Sequence, residues 1–417
     1  MWVGGAGAIW GLGLARLIAE VSFWPPLYDS PLTVAGVAAV CAGTLLALWR
    51  LADPPASCLL LPASCSLIYV TGIVSLPLAG GVLLVGGAML AMLMAWGKQT
   101  RWTVPTLLGL TTLALYLRTL LPSVGQADTF EFQVIVPRLG VAHPTGYPLY
   151  VLLGKLFTLL PLGNVAWRVN LASAVCATGA VLVLYALLLR LTSRWLPALV
   201  TALAFAFSAT FWSQAVVAEV YTLHNLFVMV ILWLLLAHKT SEVSKKPARS
   251  AAHRWQATLF LLGLSFTNHL TTALLLPAVA LALLWDRPRL RLHDWLIAGG
   301  LLLLGLSVYL FIPLRWPALN HGARMGLRQF AAYVTGGQFH GALQLSGWRD
   351  STRWAIVGRL MQQPFGWVGL GLAGMGVVEL AARQRRALAL TSVTFLTFAF
   401  YGLVYYVPDI SVFLLPA

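Results

Sequence analysis

The chain has 417 residues, of which 59% are hydrophobic and only 9% charged, with a mean hydropathy of +0.83. So little charge cannot cover a water-soluble domain, and the composition predicts a polytopic membrane protein with room for about a dozen spans of ~20 residues. A formal net charge of +15 would suggest nucleic acid in a soluble protein, but here the basic residues stand in short loops between apolar segments, where they signal orientation in a bilayer and no nucleic-acid partner is expected.

Taken in order, apolar segments run at 3–23, 33–51, 57–76 and 79–97, an N-terminal group of spans over 1–100 to which no role attaches. The first is not a cleavable signal, because no Lys or Arg precedes it and further spans follow directly. A core over 101–417 continues with segments at 104–121, 167–189, 195–213, 220–238, 256–271, 272–285, 295–313, 365–382 and 387–406. Their Leu, Ala, Val and Gly content reads as helix, not as the alternation of a membrane barrel. The expected fold is therefore all-α, a bundle of about 12–13 transmembrane helices. Cys41, Cys58, Cys65 and Cys176 lie in or beside apolar segments and read as small buried hydrophobes rather than disulfide or zinc partners.

Basic residues set the sidedness. Lys98/Arg101, Arg190/Arg194, Lys239/Lys245/Lys246/Arg249/Arg254, Arg287/Arg289/Arg291 and Arg383/Arg385/Arg386 alternate with loops poor in them. The positive-inside rule makes the basic face cytoplasmic. The opposite face receives 122–166, 214–219, the Asn268-His269 turn, 314–364 and the tail from Tyr405. Every polar cluster with chemical potential falls on that outer side, and 240–254 reads as a solvated cytoplasmic linker.

Within 122–166, amphipathic stretches at 129–139 and 147–162 flank His143-Pro-Thr-Gly-Tyr-Pro148. Pro144, Gly146 and Pro148 forbid one continuous helix, so two short helices lying on the membrane surface are expected. The alternative, a re-entrant span at 147–162, is short for a crossing and would invert the charge alternation downstream.

The same loop concentrates acids in a chain that has only 12 of them. Asp128 and Glu131 stand three apart, on one face of a helix, with His143 close behind. A carboxylate there could take the proton of an acceptor hydroxyl as it attacks; the alternative is that both acids cap the surface helix. Glu219, in a tight outer turn, could ligate a metal, orient an acceptor or pair with an arginine. Tyr221, His224 and Asn225 begin the returning helix, and His224 could equally be an interhelical polar group. Asn268-His269 and Tyr405-Tyr-Val-Pro-Asp409 occupy the remaining outer turns. Arg315, Arg324, Arg328, Arg349, Arg353 and Arg359 in the 314–364 loop suit a phosphate, or alternatively anionic lipid headgroups. No Gly-rich nucleotide loop, His-Glu-x-x-His or Cys-x-x-Cys pair appears, which leaves nucleotide-driven and zinc chemistry unsupported and any other metal open.

Gln126-Ala-Asp-Thr-Phe-Glu-Phe, Leu139-Gly-Val-Ala-His-Pro-Thr-Gly-Tyr-Pro-Leu-Tyr, Trp212-Ser-Gln-Ala-Val-Val-Ala-Glu-Val-Tyr, Asn268-His269 and Tyr406-Val-Pro-Asp409 together resemble a known family. It is the membrane proteins long catalogued as a domain of unknown function and now grouped with protein O-mannosyltransferase-like enzymes of the GT-C fold. The likeness covers roughly 101–417. The acidic box, Gly-Asp-Ser-Gly-Glu-Phe in its usual form, keeps both acids but not its glycines. Val334-Thr-Gly-Gly-Gln-Phe also resembles the family, whereas Leu319-Asn-His-Gly-Ala-Arg departs from the usual Asn-Trp-Gly-Asp-Pro.

The resemblance implies a membrane glycosyltransferase that moves a sugar, such as mannose, with inversion from a polyprenyl-phosphate carrier to an acceptor hydroxyl. The acceptor would be a protein Ser/Thr or a glycan. Asp128 is then the base and Glu131 its companion. His143, Tyr147, Glu219, Tyr221, His224, Asn268, His269, Arg315 and Asp409 are expected to bind substrate. The location implied is the plasma (inner) membrane, with the site facing outward among membrane lipids. The family normally continues beyond Pro-Asp-Ile-Ser-Val-Phe-Leu-Leu-Pro, so a longer C-terminus is expected. A lipid-sugar flippase would instead need charged or broken helices at mid-bilayer and related halves, and a scaffold would leave the outer acids without a purpose.

Overall fold

The structure, a computed structural model, describes Ile9, residues 100–237 and residues 247–416. The four segments expected before residue 100, Cys41, Cys58, Cys65 and residues 240–246 of the expected 240–254 linker therefore lie outside the described residues, Ile9 apart. The chain divides into two compact units, Met1–Thr111 and Thr112–Ala417, and the second holds the acidic loop, the polar turns and the helices that carry them.

Every apolar segment expected after residue 100 is helical, and no strand occurs among the described residues beyond one isolated bridge, Leu343 to Tyr405. The chain is an all-α polytopic membrane protein. Val165–Thr192, Leu292–Leu319 and Arg385–Val404 are each long and apolar enough to cross a bilayer. Two further candidates are bent pairs: Trp195–Ala206 with Ala209–Ala215 turns by 68°, and Ser351–Gln362 with Gly366–Arg383 by 90°. The segment 195–213 is thus sharply bent, as in a broken span or a re-entrant loop, rather than one straight helix. The break falls at Phe207-Ser208, where the Ser208 hydroxyl donates to the carbonyl of Phe205 at 2.9 Å and competes with the helix ladder. Tyr221–Leu236 and Leu270–Asp286 are shorter than a full crossing. The 240–254 linker is also shorter than expected, because a helix already begins at Pro247 and runs to Phe266. Proline suits a first helical turn, where its missing N–H is not needed.

The core follows from which apolar faces meet. Val165–Thr192 packs along Tyr221–Leu236 and Trp195–Ala206, while Pro247–Phe266 lies against Leu292–Leu306. The latter pair approach so closely that a Cβ on Gly263 would meet the carbonyl oxygen of Leu302 at 2.4 Å, and one on Gly305 the carbonyl of Phe260 at 2.7 Å. Small residues at that seam let dispersion and backbone contact hold helices that lipid cannot push together.

At one end of the bundle Asp286, 1% exposed, receives Arg254 at 3.1 Å and Arg386 at 2.8 Å. Arg386 also donates to the carbonyl of Leu235 at 2.8 Å. One carboxylate thereby ties four helices together.

The expected pair of short helices is present as Ala127–Arg138 and Pro148–Thr158. They are not merely surface helices. Phe132, Val136, Tyr150 and Val151 are fully or almost fully buried, against Val169 and Val220 among others. The first helix stops at Leu139, which takes a left-handed φ of 52°, and the second starts after Gly146 and Tyr147, at φ 87° and 44°. Gly146 is required twice over: its φ excludes most side chains, and a Cβ there would meet Cδ1 of Ile312 at 2.6 Å. The turn between the two helices therefore has a fixed shape, which aims His143.

Candidate functional site

Asp128 sits in the first turn of Ala127–Arg138, and Glu131 follows one turn later. Neither caps the helix, whose N-cap, Gln126, has no side-chain capping bond. Glu131 instead spends both oxygens on His143: Oε1 accepts from the His143 backbone N–H at 2.8 Å, and Oε2 lies 2.5 Å from Nδ1. The other ring nitrogen, Nε2, faces Asp128 Oδ2 at 3.9 Å. The sequence spacing has thus produced a chain of three groups, Glu131, His143 and Asp128, with the imidazole between the acids.

Their protonation follows from that geometry. Burial pushes the Glu131 carboxyl up, but the hydrogen bonds and charge of His143 outweigh it and leave it below the ordinary value. Burial pulls His143 down, and the hydrogen bond and charge of Glu131, followed by the charge of Asp128, more than reverse this. Asp128 is raised, first by burial and then by Glu131 and Asp409, with His143 opposing. A carboxylate with increased proton affinity and a cation beside it is suited to accept a proton.

Glu219 closes the rear of the site. Its Oε1 accepts from the Thr129 hydroxyl at 3.1 Å, and its backbone N–H and carbonyl both meet Ser173 Oγ at 3.1 Å. Burial, and after it the charge of Asp128, pushes its carboxyl up to about 8, so it keeps its proton at neutral pH. It therefore acts as a neutral hydrogen-bonding group rather than an arginine partner. Because the folded-state value lies above the unfolded one, this group's contribution to stability is present below pH ~4.3 and is lost as pH rises toward 8. Glu219→Gln, which mimics the protonated form, should gain in thermal midpoint over wild type as pH is raised from 5 to 9. A gap that stays constant over that range would mean Glu219 is ionised throughout.

Asp128 and His143 open onto a cavity of about 380 Å³, a volume typical of small-ligand sites. Asp128, His143, Tyr147, Tyr221, His269 and Asp409 line it, so six of the expected residues converge there. Tyr221 donates to Asp409 Oδ2 at 3.3 Å. Glu131 and Glu219 stand behind these residues and hold them. His224 and Asn268 are buried behind the wall: His224 Nε2 lies 3.1 Å from Thr271 Oγ1, and Asn268 donates to the carbonyl of Val220 at 3.2 Å. These two are interhelical polar groups rather than lining residues.

Arg315 does not line the cavity either. Its Nε and Nη2 donate to the carbonyls of Leu139 and Arg138, at 2.9 and 3.1 Å, completing the C-terminus of the Asp128 helix. Arg353 is similarly occupied, with the carbonyls of Gly402, Leu403 and Tyr405. Among the described residues, no Arg or Lys lines the cavity.

Sequence reasoning missed one wall, made of Thr335, Gly336, Phe339, His340 and Leu343, as well as Tyr401 and Phe413. The Val334-Thr-Gly-Gly-Gln-Phe run was the available signal. Tyr333 holds this wall in place by donating to the carbonyl of Ala142, and the Leu343–Tyr405 bridge fixes its far end. Leu270, Leu274, Leu343 and Phe413 give the cavity an apolar lining, to which Asp128 and Asp409 add carboxyl groups.

Asp128, Glu131 and His143 each offer a ligand atom, all within 4.8 Å of one another, and are the group among the described residues with donors for a cation. A metal ion bound at Nδ1 of His143 would have to displace the Glu131–His143 hydrogen bond, whereas Nε2 and Asp128 lie outside that bond.

Residues 128–292 match the family model of the protein O-mannosyl-transferase TMEM260 N-terminal domain. The chain is 28% identical over 306 residues to the protein O-mannosyl-transferase tmem260 of Dictyostelium discoideum, covering 68% of this chain and 37% of that protein. It is 33% identical over 207 residues to the protein O-mannosyl-transferase TMEM260 of Mus musculus, covering 48% of this chain and 28% of that one. The chain thus spans about a third of the length of these curated relatives. No solved structure matches it. The resemblance to O-mannosyltransferase-like membrane proteins, read from the residues, is borne out.

Proposed function

We propose that this chain, similar as it is to O-mannosyltransferases, carries the donor-side core of a GT-C-type glycosyltransferase. It would transfer a hexose such as mannose from a polyprenyl-phosphate carrier to a hydroxyl, a protein Ser or Thr or a glycan. The observation that carries this reading is Asp128: a carboxylate of raised proton affinity in a cavity that Leu270, Leu274 and Leu343 also line. An amphiphilic donor fits such a cavity, with its sugar at the acids and its first isoprene units against Leu270, Leu274 and Leu343.

In the reaction the acceptor oxygen attacks the anomeric carbon and its proton passes to Asp128 Oδ2. The bond from that carbon to the phosphate oxygen breaks, and its electron pair leaves with the carrier phosphate. Attack from the face opposite the phosphate inverts the carbon. Tyr221 and Asp409, joined by their hydrogen bond, are placed to hold sugar hydroxyls. The test is incubation of the purified chain with polyprenyl-phosphate mannose and Ser/Thr peptides, then with other lipid-linked sugars. Transfer from none of them would end the reading.

The sidedness proposal rests on helix direction. Leu270–Asp286 runs from the cavity to the Arg254–Asp286–Arg386 cluster, and Arg385–Val404 runs back from that cluster to Tyr401 and Tyr405. The cavity and the basic cluster are thus at opposite ends of the same helices. With the basic end cytoplasmic, the site faces outward. A cysteine placed at 340 should then react with an impermeant reagent applied outside the cell, and one at 246 should not. The reverse pattern would put the site in the cytoplasm.

A further inference from the structure

A phosphate-carried donor brings a negative charge into a cavity that, among the described residues, is lined by two aspartates and no arginine or lysine. Something must offset that charge. The arginines expected to do so are elsewhere: Arg315 and Arg353 are spent on backbone carbonyls, and Arg324, Arg328, Arg349 and Arg359 do not line the cavity. The nitrogen groups that do line it are imidazoles, on His143, His269 and His340. Neither His269 nor His340 has a carboxylate partner among the bonds described: His269 meets Thr271 at Nδ1, and His340 the carbonyl of Thr335 at Nε2.

His143 differs from both. Glu131 holds its Nδ1 at 2.5 Å and its backbone N–H at 2.8 Å, which fixes the ring and leaves Nε2 as the end that faces the cavity. The 3.9 Å from Nε2 to Asp128 Oδ2 is too long for a hydrogen bond, so the Nε2–H remains available to another oxygen. We propose that His143 Nε2 donates to the phosphate of the donor and is the cationic contact of this site, with Glu131 as its positioning residue. This rests on the carrier-dependent transfer proposed above.

A phosphate oxygen accepting from Nε2 at about 2.8 Å would lie within about 6.7 Å of Asp128 Oδ2, a limit reached only with Nε2 between them, so the attacking oxygen and the transferring carbon would sit to one side of the ring. His143 then faces charge that grows as the phosphate departs, where a preorganised donor is most effective. The groups facing the ring are Asp128 and Glu131 from its neighbouring helix, Tyr147 from its own turn, Glu219 from the turn before Tyr221, and His269 across the cavity. Glu131, bonded to the ring, and Asp128 favour the protonated imidazole, whereas Glu219 keeps its own proton at neutral pH.

The test measures binding to the purified chain of three probes: farnesyl phosphate, farnesol and inorganic phosphate. Wild type should prefer the lipid phosphate over the alcohol by about ten- to hundredfold, the effect of one hydrogen bond to a charged group. His143→Gln should reduce that preference to within about threefold. Glu131→Gln, which leaves a neutral imidazole, should fall between the two, and it decides the matter if His143→Gln does not fold. A wild-type preference retained by both variants overturns the His143 assignment and leaves the carrier reading standing. Farnesol bound as tightly as farnesyl phosphate by wild type, or inorganic phosphate bound as tightly as its lipid ester, overturns the carrier reading itself. A preference abolished by EDTA would also overturn the proposal, because a metal ion rather than the imidazole would then meet the phosphate.

Discussion

Asp128→Asn should abolish sugar transfer while leaving the fold intact. The carboxamide fills the same space in the first helical turn, where the side chain is half exposed and makes no cap that its loss would undo. It cannot accept a hydroxyl proton at neutral pH, and loss of a general base typically costs ~10²–10⁴-fold in rate. The measurement is turnover of polyprenyl-phosphate mannose by protein whose thermal midpoint matches wild type. Donor binding should change far less than turnover, since Asp128 acts on the acceptor. Near-normal turnover would remove Asp128 from the chemistry. Glu131, with both oxygens committed to His143, could not easily replace it, and Glu219 keeps its proton at neutral pH, so Asp409, the other acid lining the cavity, would become the candidate base.

Asp286→Asn should be the most destabilising single change among the described polar groups. The carboxylate is 1% exposed between Arg254 and Arg386, so its replacement leaves two guanidinium groups facing one neutral amide. Breaking a buried ion pair from one side costs about 3–5 kcal/mol. The loss should appear as a lowered thermal midpoint in detergent, while folded protein keeps its turnover because the cavity lies at the other end of the helices. Replacing all three charged residues with apolar ones of similar volume should recover much of the loss, as repacked ion clusters often do. A fall in turnover with no fall in midpoint would show that the cluster communicates with the site.

The membrane class, the helical segments and the two short helices around His143-Pro-Thr-Gly-Tyr-Pro148 were legible because each depends on local signals: length, apolarity, and Pro and Gly at fixed places. Six lining residues were legible for a related reason, being polar groups in turns where lipid tolerates few. What was not legible depends on distant geometry. Phe207 and Ser208 carry no Pro or Gly to announce the break there. Arg315 reads as a free cation until the chain is folded, because its acceptors lie 176 and 177 residues away on main-chain carbonyls that every sequence possesses. His224 and Asn268 differ from His269 only in the side of the wall they face, which no spacing reveals. Glu131 was read as a companion to Asp128, and the structure gives it His143 instead.

That Arg315 and Arg353 both grip main-chain oxygens has an evolutionary consequence. A grip on carbonyls is blind to the side chains of the segments it holds, so Arg138 and Leu403 can drift in sequence without releasing it. Between the two arginines, the stretch at 320–326 is largely exposed and makes a simple turn, with Gly322 at φ 85° and open space around it. Insertions of a few residues there should be accommodated, and homologous chains should differ in length at that turn while the arginine anchors stay in register.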